Sequence, residues 1–177
     1  MIRNLFGAAA IIIVACAGSA FAAEYPIGEP QQGGGLEVAA VYLQPIVMEP
    51  RGMMTPAADA DIHLEADIHA LAANPNGLAE GEWAPYLQIS FKLSKTGSDW
   101  VSEGHMMAMV ANDGPHYGDN VKLDGAGEYH LELTVVPPDG MMFGHHTDPE
   151  TGVAPWFEAF TKSYDFTFAG TGKKGTY

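Results

Sequence analysis

Three segments of the chain carry side chains that can do chemistry. The first, Asp61-Ile62-His63-Leu64-Glu65-Ala66-Asp67-Ile68-His69, alternates apolar residues with potential ligands. In a strand, Ile62, Leu64, Ala66 and Ile68 turn to one face, the core. His63, Glu65, Asp67 and His69 turn to the other, about 6.5–7 Å apart from step to step. A solvated polar face explains such a row; so does a cation site. The second segment runs from His105 to Gly118. His105, Met107 and Met109 share one strand face, Met106, Ala108 and Val110 the other, and His116 falls in a tight Gly/Pro loop able to fold back toward Met109. Methionine in a strand is commonly core filler, whereas a histidine in a stiff loop beside it points to a ligand. The third, Met141-Met142-Phe143-Gly144-His145-His146-Thr147-Asp148, reads as an exposed loop or as one more imidazole for the same site.

Histidine, methionine and carboxylate together make a mixed donor set. Thioether favours copper, imidazole suits copper, zinc or iron, and carboxylate accepts harder ions such as ferrous iron. A structural zinc site would more often use Cys or several His. No HExxH, no GxSxG elbow and no Gly-rich phosphate loop ahead of a helix is present. Glu65 and Asp67 on one strand are too common a pair to argue acid–base hydrolysis. A binding protein, not an enzyme, is the expectation.

The elements that must position these residues are strands. Leu87, Ile89, Phe91 and Leu93 interleave with polar neighbours, as do Tyr129, Leu131, Leu133 and Val135, then Tyr164, Phe166 and Phe168. This period of two describes half-buried antiparallel strands. Turn clusters separate them, among them Asn74-Pro75-Asn76-Gly77, Lys95-Thr96-Gly97-Ser98, Asn112-Asp113-Gly114-Pro115 and Pro137-Pro138-Asp139-Gly140. About seven strands at this spacing predict an all-β fold, an antiparallel β-sandwich. One short helix is expected near Pro155–Phe160.

At 177 residues the chain makes one domain with its own core. Its net charge of −14 argues against nucleic acid or an anionic membrane surface as a partner. A single Cys rules out a CxxC pair. Residues 1–22, with Arg3, an apolar run and Ala20-Phe21-Ala22, read as a signal peptide cleaved after Ala22 or Ala23, shorter than the ~20 apolar residues of a span. Ile13-Val14-Ala15-Cys16 offers the alternative of a lipid anchor at Cys16. A periplasmic location follows, with nothing later in the chain expected to span a membrane. Residues 23–35 read as a flexible arm, 36–169 as the metal-binding domain and 170–177 as a frayed tail; neither end is expected to carry chemistry.

Specific words in the chain are those of a known family. Asp61–Asp67 (DIHLEAD), Met109–Gly118 (MVANDGPHYG) and His146–Val153 (HTDPETGV), together with Gly81–Pro85 and Phe157–Phe160, resemble the bacterial periplasmic high-affinity iron-transport proteins. Those proteins bind copper and work alongside an FTR-type iron permease. The resemblance implies an immunoglobulin-like or cupredoxin-like β-sandwich that forms homodimers. It implies copper on His63, Met109, His116 and His146, with Glu65 an alternative or neighbouring metal position, and iron as the transported ion. His69 and His105 are not carried over. Two departures stand out. The family's Met-Pro-Met run is Met107-Ala108-Met109 here, and its Arg before the last ligand is His145, which leaves His145 or His146 as the ligand. Rival readings are a periplasmic copper chaperone or resistance protein, an envelope adhesion or ligand-binding sandwich, and a copper-dependent ferroxidase.

Overall fold

The computed structural model describes residues 24–171; residues 1–23, with the expected signal peptide and Cys16, and residues 172–177 lie outside them. Among the described residues nine strands form: β1 Tyr25–Pro26, β2 Gln31–Gly33, β3 Leu36–Leu43, β4 Ile62–Ala70, β5 Gln88–Lys95, β6 Val101–Ala111, β7 Gly114–Val121, β8 Gly127–Val136 and β9 Phe160–Phe168. All pairings are antiparallel, and the expected all-β sandwich is what the chain builds. The order β1-β3-β4-β7-β6-β5-β8-β9 is one continuous, curled sheet, with β2 also on β3. The two layers are joined through β6. Its first half, Val101–Met106, pairs with β5, and its second half, Met107–Ala111, pairs with β7. That switch takes His105 away from Met107 and Met109: His105 lies opposite Ser90 in the other layer.

Alternation sets the core. Ile62, Leu64, Ala66 and Ile68 of β4 are fully buried, against Ile89, Phe91 and Leu93 of β5 and Leu131, Leu133 and Val135 of β8. The open edges of the curled sheet approach each other, Gln31 Nε2 donating to Ser163 O (2.7 Å) and Tyr164 Oη to Val38 O (2.8 Å).

Three local expectations are corrected. Residues 25–33 are no flexible arm, because β1 and β2 both pair with β3. The glycines expected to belong to that arm form the turn: Gly33 pairs with Leu36, and Gly34 and Gly35, at φ 61° and 76°, supply the two left-handed positions of a type I′ hairpin. No helix forms at Pro155–Phe160; the stretch is too short to nucleate one. Instead Asn76 Nδ2 donates to the carbonyls of Ala154 and Pro155, and Phe160 opens β9. His116 lies on a strand, not in a loop. Asn112-Asp113 alone make the turn, since Ala111 already pairs with Gly114.

Candidate metal centre

Three adjacent strands, β4, β7 and β6, present the site on the face opposite the core. Register places Glu65 beside Gly118 and Gly118 beside Met107, His63 beside Asn120, and His116 beside Met109. His116, Gly118 and Asn120, two apart along β7, share that face. Gly118 therefore occupies the middle of the lattice and contributes no side chain. A Cβ there would stand 2.5 Å from His63 Nε2 and 2.8 Å from its Cε1. The gap is the space that the His63 ring borders through Nε2.

His63 Nε2 and His116 Nε2 lie 3.5 and 3.4 Å from the same oxygen, Glu65 Oε1, and one ligand atom from each residue falls within 4.8 Å of the others. The three residues are 0%, 5% and 7% exposed, so the polar face of β4 is buried at His63 and Glu65 and half-buried at Asp67 and His69. Both Nε2 atoms are buried without a hydrogen-bond partner. An orphaned buried nitrogen is costly, and a cation shared by the two imidazoles and the carboxylate relieves that cost. His63 Nδ1 is bonded to Asn120 Oδ1 (3.1 Å), and the remaining nitrogen of His116 takes the Gly114 backbone. Each ring is thus held by one nitrogen and offers the other.

Electrostatics favour the same state. Burial lowers His63 to about 4, with the His116 ring adding to the effect against Asn120, and burial also lowers His116, so both are neutral ligands near pH 7. Burial, then the charges of Asp67, Glu24 and Asp113, push Glu65 up to about 8. Burial raises Asp67 as well, partly offset by His116 and His69. Four carboxylates crowded in one place are a standing demand for positive charge.

Two cavities meet here. One of about 960 Å³ is walled by Leu43 and Ile46–Pro50 on one side and Met107–Asp113 on the other, with His63, Glu65 and His116 at its base. The other, about 220 Å³, is lined by Glu24, Glu65, Asp67, His69, Asp113 and His116. Glu65 and His116 belong to both. Each is lined by two imidazoles and four carboxylates; the first alone adds thioethers, those of Met48, Met107 and Met109.

Four of the five expected site residues, His63, Glu65, Met109 and His116, are brought together. His146 is not. It stands exposed on the β8–β9 connection, its Nδ1 2.7 Å from Thr151 Oγ1 and 3.9 Å from Asp148 Oδ2, and lines neither cavity. His145 packs edge-on against Trp156 (5.5 Å, 74°), within the aromatic cluster. Sequence reasoning missed Gly118, Asn120 and Glu24. Counting by two from His116 would have found the first two. Glu24 was hidden by reading the N-terminal stretch as an arm without chemistry; it lines both cavities and hydrogen-bonds Asp113, its carboxyl raised chiefly by burial.

A family model described as Fe2+ transport protein matches residues 21–170. The copper-reconstituted P19 protein from Campylobacter jejuni is 51% identical, covering 85% of this chain and 99% of its own, with a TM-score of 0.82. A copper-bound variant of FetP from uropathogenic Escherichia coli strain F11 is 52% identical over 84% of this chain and 99% of its own, TM-score 0.81. A UPF0423 protein of Brucella abortus is 58% identical over 181 residues, 99% of this chain and 100% of that one. The 34 kDa membrane antigen of Treponema pallidum is 40% identical over 147 residues, 80% and 72% of the two chains. Among the described residues no helix is long and apolar enough to cross a membrane.

Proposed function

The chain belongs to the Fe2+ transport protein family, and from that premise and the site's geometry we propose that it is a periplasmic copper-binding protein of high-affinity iron uptake. The observation that carries this reading is the pair of buried, unpartnered imidazole nitrogens converging on Glu65 beside Met109. Two imidazoles and a thioether suit copper in either oxidation state. Copper-bound relatives at about half identity support the choice of ion. Iron is assigned to the smaller cavity, which lacks thioethers and where Glu24, Asp67 and Asp113 adjoin Glu65 and supply the hard oxygen donors ferrous iron accepts. Copper next to it would supply one-electron chemistry; this chain's own residues bind, orient and shield the ions.

The cavity of about 960 Å³ far exceeds one ion, and its rim residues Val47 and Val110 are exposed. A homodimer covers such a rim, and His146 of the partner subunit completes the copper ligands in it. Iron delivery to an inner-membrane FTR-type permease is the role assigned to the complex, without catalytic turnover. Deleting the gene tests the physiological part. Impaired growth on limiting iron supports the reading, whereas normal iron uptake with copper sensitivity would replace it with a copper-resistance role. For the site, chelator competition on His63→Ala, Met109→Leu and His116→Ala should show weakened copper binding in each. Unchanged affinity in all three would defeat the assignment.

A further inference from the structure

The geometry points to Asn120 as the positioning residue of the centre: one buried amide fixes which nitrogen His63 presents to the ion and clamps the segment that walls the cleft. Asn120 is 2% exposed. Its Oδ1 accepts from Ile46 N–H (3.1 Å), and its Nδ2 donates to Ile46 O and Thr55 O (both 2.9 Å). Those three backbone groups cannot exchange roles, so the amide cannot be flipped without setting donor against donor and acceptor against acceptor. Oδ1 is therefore fixed as the atom facing His63 Nδ1 at 3.1 Å. An oxygen there requires the proton on Nδ1, which leaves the Nε2 lone pair free and aimed at Glu65 and the Gly118 gap. Partners of this kind that orient a metal-binding histidine change metal affinity by about 10–100-fold when removed.

The same amide reaches across the cleft. Ile46 is one of the residues walling the large cavity, and the bonds from Asn120 anchor residues 46 and 55 to β7. Ligand orientation and cleft wall thus share one fastening.

Two substitutions separate the roles. Asn120→Asp keeps an oxygen toward His63 Nδ1 and Ile46 N–H but loses both Nδ2 donations. Asn120→Leu loses everything. The direct readout is nitrogen-15 NMR of the histidine rings in metal-free protein. Wild type should show His63 as the Nδ1–H tautomer, Asn120→Asp should retain it, and Asn120→Leu should move toward Nε2–H. Amide exchange across residues 46–55 should accelerate in both variants. Copper affinity, by chelator competition, should fall about 10–100-fold in Asn120→Leu and by less than about fivefold in Asn120→Asp. An unchanged Nδ1–H tautomer in a folded Asn120→Leu protein overturns the inference. So does an Asn120→Asp protein that loses that tautomer, or one whose 46–55 exchange matches wild type, and these two results decide the matter if Asn120→Leu does not fold. The affinity arm rests on the copper reading above. Wild-type protein that binds no copper would sink that reading, while the metal-free tautomer would still test Asn120.

Discussion

Gly118→Ala isolates the empty position at the centre of the lattice. Gly118 is not among the glycines with positive φ, so alanine meets no backbone penalty there and is a slightly better strand former. Its methyl group, however, would lie 2.5 Å from His63 Nε2, 2.8 Å from Cε1 and 3.2 Å from Leu64 O. Reaching an ordinary contact of about 3.5 Å requires a relative shift of about 1 Å. Metal–ligand distances tolerate about 0.2 Å, so the shift is roughly five times what coordination allows. His63 is wholly buried and tied to Asn120, and Leu64 O is backbone, so neither yields cheaply. We expect overpacking to cost about 1–3 kcal/mol of stability and copper affinity to fall by about a hundredfold or more, the equivalent of about 2.8 kcal/mol. Thermal melts and chelator competition on the same protein measure both. A Gly118→Ala protein that binds copper within twofold of wild type would refute the claim that the ion needs the gap beside His63.

Further expectations concern protons, softness and packing. Copper binding must displace the proton that Glu65, raised to about 8, carries at neutral pH, so affinity should climb up to about tenfold per pH unit below 8 and level off above it; Glu65→Gln should lose that component of the slope in pH-dependent titrations. In metal-free protein, the stability Glu65 contributes is present below 4.5 and lost as pH rises through about 8, while that of His63, lowered from 6.5 to about 4, is present above 6.5 and lost as pH falls through 4. Melting temperature against pH should show both limbs, the alkaline one flattened in Glu65→Gln. Met109→Leu keeps the bulk and removes the thioether, and should cost at least about tenfold in Cu(I) affinity but less for Cu(II), as separate competition titrations would show. Leu131→Ala, a fully buried core change in the other layer, should cost about 2–5 kcal/mol in denaturant melts with copper affinity unchanged in the folded protein.

Much of this was legible in the alternation of apolar residues. β4, β5, β8 and β9 follow it closely, and it put His63 and Glu65 on one face before any coordinates. What it could not show is how a second polar face becomes buried. That depends on long-range pairing: His63 meets His116 only because β7 lies beside β4, and the covering wall comes from residues 43–50. Periodicity is equally silent about β6, whose pattern runs on unbroken while its partner changes from β5 to β7, separating His105 from Met107. Gly34-Gly35 misled because glycine marks both flexible chain and the tightest hairpins, and only the partner strand distinguishes them. Gly118 escaped notice because its contribution is the absence of atoms, and Asn120 because its partners lie 57 to 74 positions away.

Everything proposed for this protein turns on copper sitting in the gap at Gly118, on His63, His116 and Met109. A crystal of the copper-loaded protein, with diffraction data on both sides of the copper absorption edge, tests it most directly. One anomalous peak per chain is expected within bonding distance of His63 Nε2, His116 Nε2 and Met109 Sδ, with His146 of the partner subunit beside it. Copper found instead on exposed histidines such as His105, with the His63–His116 pair left without it, would contradict this placement.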